Sequence, residues 1–175
     1  MKVMIYQWEL HLVILAVLLV AFVSCGENPA DIESRNKEVV SEAFAATDRQ
    51  DFESLDKYFA KDYHRYYQAS PEAKVESLDD MIGFLKEWYD AFPDASVETH
   101  MMAAEDDLVA VYITFAGTHQ APMGDIPATG RRMESETFGF HRLKDGKIVE
   151  TWVTWDNVAI LKQLGLFPSP SPEEP

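Results

Sequence analysis

Ser96–Ala104 (SVETHMMAA), Leu108–His119 (LVAVYITFAGTH), Arg132–Leu143 (RMESETFGFHRL) and Ile148–Trp155 (IVETWVTW) decide the fold. In each stretch apolar and polar residues alternate with a period of two, the mark of a strand that buries one face. Asp106-Asp107 and Asp145-Gly146 supply hairpin turns, and Asp-Gly suits the type I′ turn of a tight hairpin. A loop rich in Pro and Gly, Gln120–Gly130 (QAPMGDIPATG), separates the second strand from the third.

Upstream of Ala95 the period is helical. Ile32, Val39, Ala43 and Phe44 form the apolar face of a first helix, which Asp31 or Ser34 can cap. Asp51 opens a second, short helix with Phe52, Leu55 and Phe59 inward. The aromatic stretch Asp62–Gln68 (DYHRYYQ) reads as a short strand or irregular segment. Ser77 caps a third helix with Asp80 as a capping-box mimic, and its stripe is Phe84, Leu85, Trp88 and Phe92. Pro93-Asp94 stops it. A last helix runs from about Asn157 to Leu164, with Gly165 as its C-terminal cap. Helices first, then consecutive antiparallel strands, is the order of an α+β domain. The expected architecture is a strongly bent antiparallel sheet packed with three to four helices around an apolar pocket, closed at one end and open at the other.

The 175 residues, 47% hydrophobic and 26% charged, suit one globular domain. A net charge of −15 without a Lys/Arg cluster argues against nucleic acid. One cysteine excludes an intrachain disulfide, and its position is informative. Leu12–Val23 is an uncharged apolar run, too short to span a bilayer at about 20 helical residues but suited to a signal peptide. It ends in Ser24-Cys25-Gly26, which resembles the lipobox of bacterial lipoproteins. That resemblance implies a signal peptide over 1–24, lipidation of Cys25 and a tether over 25–31. A domain over 32–166 follows, then a disordered Pro-rich acidic tail over 167–175. The expected location is the bacterial cell envelope, attached to the membrane through lipid.

Several stretches carry a family resemblance. Gly117-Thr118-His119 followed by Gly124–Arg131 (GDIPATGR) resembles the GTH…GIPPTGR segment of SnoaL-like ester cyclases. Asp145–Trp152 (DGKIVETW) resembles their DGKIxExW strand, with Asp156 four residues on. Ala91–Asp94 and Gln163-Leu164-Gly165 resemble their FPD and QLG segments. The resemblance covers about residues 32 to 166 and implies the cone-shaped fold of the nuclear transport factor 2-like superfamily. It also implies a pocket in which an aspartate, Asp156 by motif position, performs cofactor-independent aldol cyclisation of a polyketide.

The residues can be weighed on their own terms. If the last strand keeps its period, Ile148, Glu150, Trp152, Thr154 and Asp156 share one face. A carboxylate beside Trp152 on a pocket wall could then shuttle protons; equally, Asp156 precedes a helix, and Asp is a favoured N-cap. Glu150 is expected to pair with Arg131, Arg132 or Arg142. His119 ends the apolar face of its strand and is either a hydrogen-bonded structural group or a base. His64 and Tyr67 are candidates for the mouth of the pocket. Trp88 and Trp152 are expected on facing walls. No His-x-His pair, His-Glu-x-x-His motif, phosphate loop or Gly-x-Ser-x-Gly elbow occurs, so neither metal nor cofactor is expected.

Two functions fit. One is an enzyme acting on a small apolar carbonyl compound by cyclisation, isomerisation or dehydration, with Asp156 catalytic and His64, Tyr67, Trp88, His119 and Trp152 around the substrate. The other is a non-catalytic ligand-binding lipoprotein at the cell surface. The expected partners are the ligand, the membrane and, through the sheet, a second copy.

Overall fold

The computed structural model describes residues 27–69 and 73–167. The signal peptide, Cys25 and the tail after Phe167 lie outside the described residues, and the compact unit considered below begins at Ile32.

Helix α1 (Pro29–Asp48) buries Asn36, Val40, Ala43 and Ala46. The stripe is turned slightly from the expected one, so Val39 and Phe44 sit half-buried at its border. Asn36 Nδ2 donates to the Asp106 carbonyl at 2.9 Å and ties the helix to a hairpin turn. Gln50 adopts a left-handed φ of 56° just after α1. The expected second α-helix is instead a short 3₁₀ turn, Phe52–Lys57. Phe59 belongs to the next element, strand β1 (Phe59–Tyr67).

Helix α2 (Leu78–Ala91) starts as its sequence dictates. Ser77 Oγ accepts from the Asp80 amide at 3.1 Å, and Asp80 Oδ2 accepts from the Glu76 amide at 3.1 Å. The Ser77 hydrogen bond, then the Glu76 one, holds the Asp80 carboxyl below the usual range. Leu78, Met81, Leu85 and Tyr89 form its buried stripe at spacings of three and four.

Strands β2 (Ser96–Glu105), β3 (Leu108–Thr118), β4 (Arg132–Lys144) and β5 (Lys147–Trp155) follow, then helix α3 (Asn157–Leu164). Asp145 at φ 52° and Gly146 at φ 75° make the turn in which both central residues are left-handed. The sheet order is β1-β5-β4-β3-β2. Strands β2 to β5 pair antiparallel as expected, whereas β1 lies parallel to β5 at one edge. The chain reaches β2 at the opposite edge only after α2, which is the long connection a non-adjacent placement needs. The result is an α+β fold with a curled five-stranded sheet whose inner face carries the core.

One irregularity decides what that inner face contains. From the hairpin, Lys144 pairs with Lys147 and Leu143 with Ile148, but Arg142 pairs with Glu150, so Val149 is an extra residue in β5. The register with β1 breaks at the same place. A bulge of one residue exchanges the two faces for the rest of the strand. Thr151 and Val153 are buried with Ile148, while Thr154 is exposed. The expected common face of Ile148, Glu150, Trp152, Thr154 and Asp156 is therefore broken at Val149.

Candidate functional site

Aromatic rings line the inner face in an unbroken run. Trp155, brought inward by the bulge, meets Tyr67 of β1 edge-on at 5.8 Å and Phe115 of β3 at 6.4 Å. Phe115 meets Trp88 of α2 at 5.7 Å, and Trp88 stacks on Phe92 at 4.3 Å. Phe92 stacks in turn on the imidazole of His119 at 5.0 Å. These geometries are the favoured offset and edge-to-face ones, so the wall is rigid as well as apolar.

Polar atoms interrupt it at four places. Tyr67 Oη, Thr137 Oγ1, His119 Nε2 and Arg65 Nε are buried with no hydrogen-bond partner among the described residues. A buried polar group left unpaired costs about 1–3 kcal/mol, so native structures keep few of them without a reason. Thr137 lies on β4 between its cross-strand partners Trp155 and Ile113, in the middle of the wall. Burial raises the Tyr67 phenol above its ordinary value and keeps it a donor.

His119 is fully buried at the end of β3. Its amide donates to the Arg131 carbonyl at 2.9 Å, its carbonyl accepts from the Gly130 amide at 2.8 Å, and Nδ1 lies 3.3 Å from Thr129 Oγ1. The C-terminal end of the Pro/Gly-rich loop thus holds the His119 backbone and one ring nitrogen, and leaves Nε2 unused. Gly117, two residues earlier, is small for a steric reason. A Cβ there would meet Phe92 Cβ at 3.2 Å and the Ala95 backbone at 3.3 Å.

Behind the wall, Thr151 Oγ1 lies 3.0 Å from His141 Nδ1 and hydrogen-bonds the Tyr63 phenol. Desolvation pushes Tyr63 up to about 12. Burial first, then the positive charge of Arg65, pushes His141 down to about 3, so this imidazole is neutral.

Of the residues singled out in the sequence, Tyr67, Trp88 and His119 stand on the wall. Trp152 and His64 do not, because both sit on the outer face of the sheet. Trp152 stacks on Tyr66 at 5.4 Å under the Arg142 guanidinium, and His64 stacks beyond Tyr66 with Nδ1 2.9 Å from the Asp62 carbonyl. Trp88 and Trp152 therefore do not face one another. Glu150 pairs with Arg142 at 2.6 Å, one of the three partners expected. Asp156, next to Trp155, is exposed and caps α3, its Oδ1 accepting from the Ala159 amide at 2.9 Å. The sequence reading missed Trp155, Phe115, Thr137 and Arg65. A signal for the first existed: Val149, Thr151, Val153 and Trp155 are a more apolar set than Glu150, Trp152 and Thr154.

Residues 37–164 match the sequence profile of the SnoaL-like polyketide cyclases. Solved structures repeat the fold. AclR, described as a candidate hydroxylase from Streptomyces galilaeus, is 31% identical over 78% of this chain and 99% of its own, with a TM-score of 0.67. IdmH, a candidate polyketide cyclase from Streptomyces antibioticus, is 27% identical over 74% of this chain and 98% of its own, at 0.66. A SnoaL-like cyclase candidate from Jannaschia sp. CCS1, 20% identical over 82% of this chain and all of its own, has the same fold at 0.72. No curated protein sequence matches the chain.

Proposed function

The chain belongs to the SnoaL-like polyketide cyclase family, and from that premise we propose that its inner face binds a small apolar carbonyl compound and moves a proton on it without a cofactor. The observation that carries this reading is the aromatic wall with buried, unpartnered Thr137 Oγ1 and His119 Nε2 along it. The rings supply apolar area and orientation. A hydroxyl donor such as Thr137 stabilises an oxyanion as it forms, and does so more strongly away from water. Removal of a proton next to the carbonyl then gives an enolate held by that donor. Return of the proton elsewhere is isomerisation, attack on a second carbonyl is aldol cyclisation, and loss of a β-hydroxyl is dehydration.

Asp156 is the proposed base. Its place in the family motif and its position directly after Trp155 support that role, and a carboxylate already oriented by one hydrogen bond to Oδ1 can accept a proton on the other oxygen. His119 is the alternative carrier. The cyclase name belongs to IdmH and the hydroxylase name to AclR; proton transfer is the chemistry that the groups of this chain can perform unaided. The test is a screen of apolar ketones and keto-esters against the chain, read by tryptophan fluorescence and by turnover. A complete absence of binders across that series would refute the reading.

Export belongs to the same proposal. Cys25 would carry lipid and hold the domain at the envelope, because several acyl chains anchor firmly where one does so marginally. Cys25→Ala should abolish incorporation of labelled fatty acid and leave an unprocessed precursor. Unlabelled wild-type protein would rule the anchor out.

We also propose a second copy of the chain as the partner of the outer sheet face. Phe138 and Phe140 there are 54% and 52% exposed, and Tyr66, Tyr112 and Trp152 share the face. The charges along β4 are self-complementary. Its outward residues read Glu134, Glu136, Phe138, Phe140, Arg142, Lys144. A two-fold axis between two such sheets, crossing β4 near Gly139, sets Glu136 against Arg142 and Glu134 against Lys144 of the other copy. Sedimentation of the wild type should give a dimer, and the double change Phe138→Glu with Phe140→Glu a folded monomer. A monomeric wild type at micromolar concentration would exclude this assembly.

A further inference from the structure

The inner face carries a cation with no carboxylate partner among the described residues. Arg65 lies in β1 between Tyr63 and Tyr67, and its backbone amide is held by the Val75 carbonyl at 2.9 Å. Its guanidinium carbon lies 4.9 Å from the Tyr67 ring centre and 5.8 Å from that of Phe84. Nη1 reaches Met81 Sδ at 3.5 Å, a weak acceptor, and Nε is buried with no partner among the described residues. Tyr67 Oη, buried beside it, is also unpartnered.

No carboxylate among the described residues pairs with Arg65. The chain holds 30 Asp and Glu, yet none occupies an inward position of the five strands. The other arginines and lysines on those strands lie at a rim or on the outer face, where Arg142 has Glu150 and Asp107, whereas Arg65 is half-buried against the inner face with its Nε fully covered. The charge of Arg65 is felt by Tyr63, Tyr67 and His141, so the positive potential extends into the interior. A guanidinium taken from water into such surroundings normally comes with a carboxylate, because its five donors and its charge are costly to leave unmatched.

We infer that Arg65, with the hydroxyl of Tyr67, recognises a carboxylate carried by the ligand, so that the compound bound on the aromatic wall is an aromatic or polyunsaturated acid rather than a neutral ketone. The planar fork of Arg65 can offer two parallel N–H donors to the two oxygens, and Tyr67 adds an O–H donor. The rings of Tyr67 and Phe84 hold the guanidinium by cation–π contact, which leaves its N–H donors for the acid. This inference rests on the proposed function in one respect, that the ligand lies on the inner face, and it adds the acid group.

The test uses the full chain and two probes of similar size and shape, 2-naphthoic acid and methyl 2-naphthyl ketone, each titrated by tryptophan fluorescence. Wild type should bind the acid at least tenfold more tightly than the ketone. Arg65→Met should weaken acid binding at least tenfold and change ketone binding less than twofold. Tyr67→Phe, which removes only the hydroxyl, should weaken acid binding severalfold; it also decides the matter should Arg65→Met fail to fold. Equal affinity of wild type for the two probes, or an unchanged affinity for the acid in a folded Arg65→Met, would overturn the inference. Binding of the ketone without the acid would do so too while leaving the proposed function standing. Binding of neither probe would overturn the inference as well, and the proposed function would then stand or fall on the ketone and keto-ester series.

Discussion

Between pH 6.5 and about 3 the domain should lose stability at about 1.4 kcal/mol per pH unit on account of one imidazole, His141. The ring is buried among apolar groups, edge-on to Phe44 at 5.4 Å, with Thr151 Oγ1 3.0 Å from Nδ1. Burial, and secondly the charge of Arg65, lowers its folded pKa to about 3, against an ordinary 6.5 in the unfolded chain. The unfolded state therefore binds the extra proton throughout that window and the folded state does not. Stability is complete above 6.5 and declines as pH falls towards 3, by about 5 kcal/mol in all, which is of the order of a whole domain's stability. Tyr63 gives the opposite limb: its phenol is raised to about 12, so its contribution is lost as pH climbs past 10. Urea unfolding at a series of pH values measures the acid slope. His141→Gln retains a hydrogen-bonding partner for Thr151 but cannot titrate. The variant should be less stable at pH 7 and much flatter between pH 6.5 and 4.5. An equal slope in the two proteins would show that His141 is not the group responsible.

The features legible in the sequence were those set by local chemistry. Ser77 with Asp80, the Asp145-Gly146 turn and the Gly165 cap each depend on a few adjacent residues, and each forms as read. The order of helices and strands was legible for the same reason, since the change of period at Ala95 is visible in the residues themselves. What failed was long-range register. Nothing local requires β1 to pair with β5, and that pairing sets Tyr63, Arg65 and Tyr67 inward while His64 and Tyr66 turn out. The stretch DYHRYYQ reads as a short strand or irregular segment with no register of its own, and it is a strand. A strict period of two would have separated His64 from Tyr67 and brought Arg65 to notice. The extra residue at Val149 had the larger consequence, because it exchanged Trp152 for Trp155 on the wall. Half of the candidate site was thus visible as residue types, and the other half required knowing which face each residue takes.

Asp156→Asn should lower turnover on a genuine substrate by about 10²-fold or more while the melting temperature hardly moves. The two parts of this expectation come from different properties of one side chain. As a cap, Asp156 accepts a hydrogen bond from the Ala159 amide at 2.9 Å, and Asn caps a helix about as well as Asp, so the change costs at most a few tenths of a kcal/mol. As a base, the carboxylate must take a proton, which an amide cannot do at neutral pH. The substitution therefore separates a role that shape and polarity satisfy from one that needs basicity. Asp156→Ala adds a control, since it should lose both and cost about 1 kcal/mol of stability. His119→Asn tests the rival carrier. If Nε2 of His119 moves the proton, that variant should lose the 10²-fold and Asp156→Asn should not. The assay needs one ketone, keto-ester or keto-acid that the wild type converts, together with thermal melts of all four proteins. Equal turnover of wild type and Asp156→Asn would remove the aspartate from the mechanism and leave it as a cap. Full activity in both single variants would go further and overturn the proposed proton transfer itself, because neither candidate carrier would then be needed and the hydroxyls left on the wall, Thr137 and Tyr67, serve only as donors.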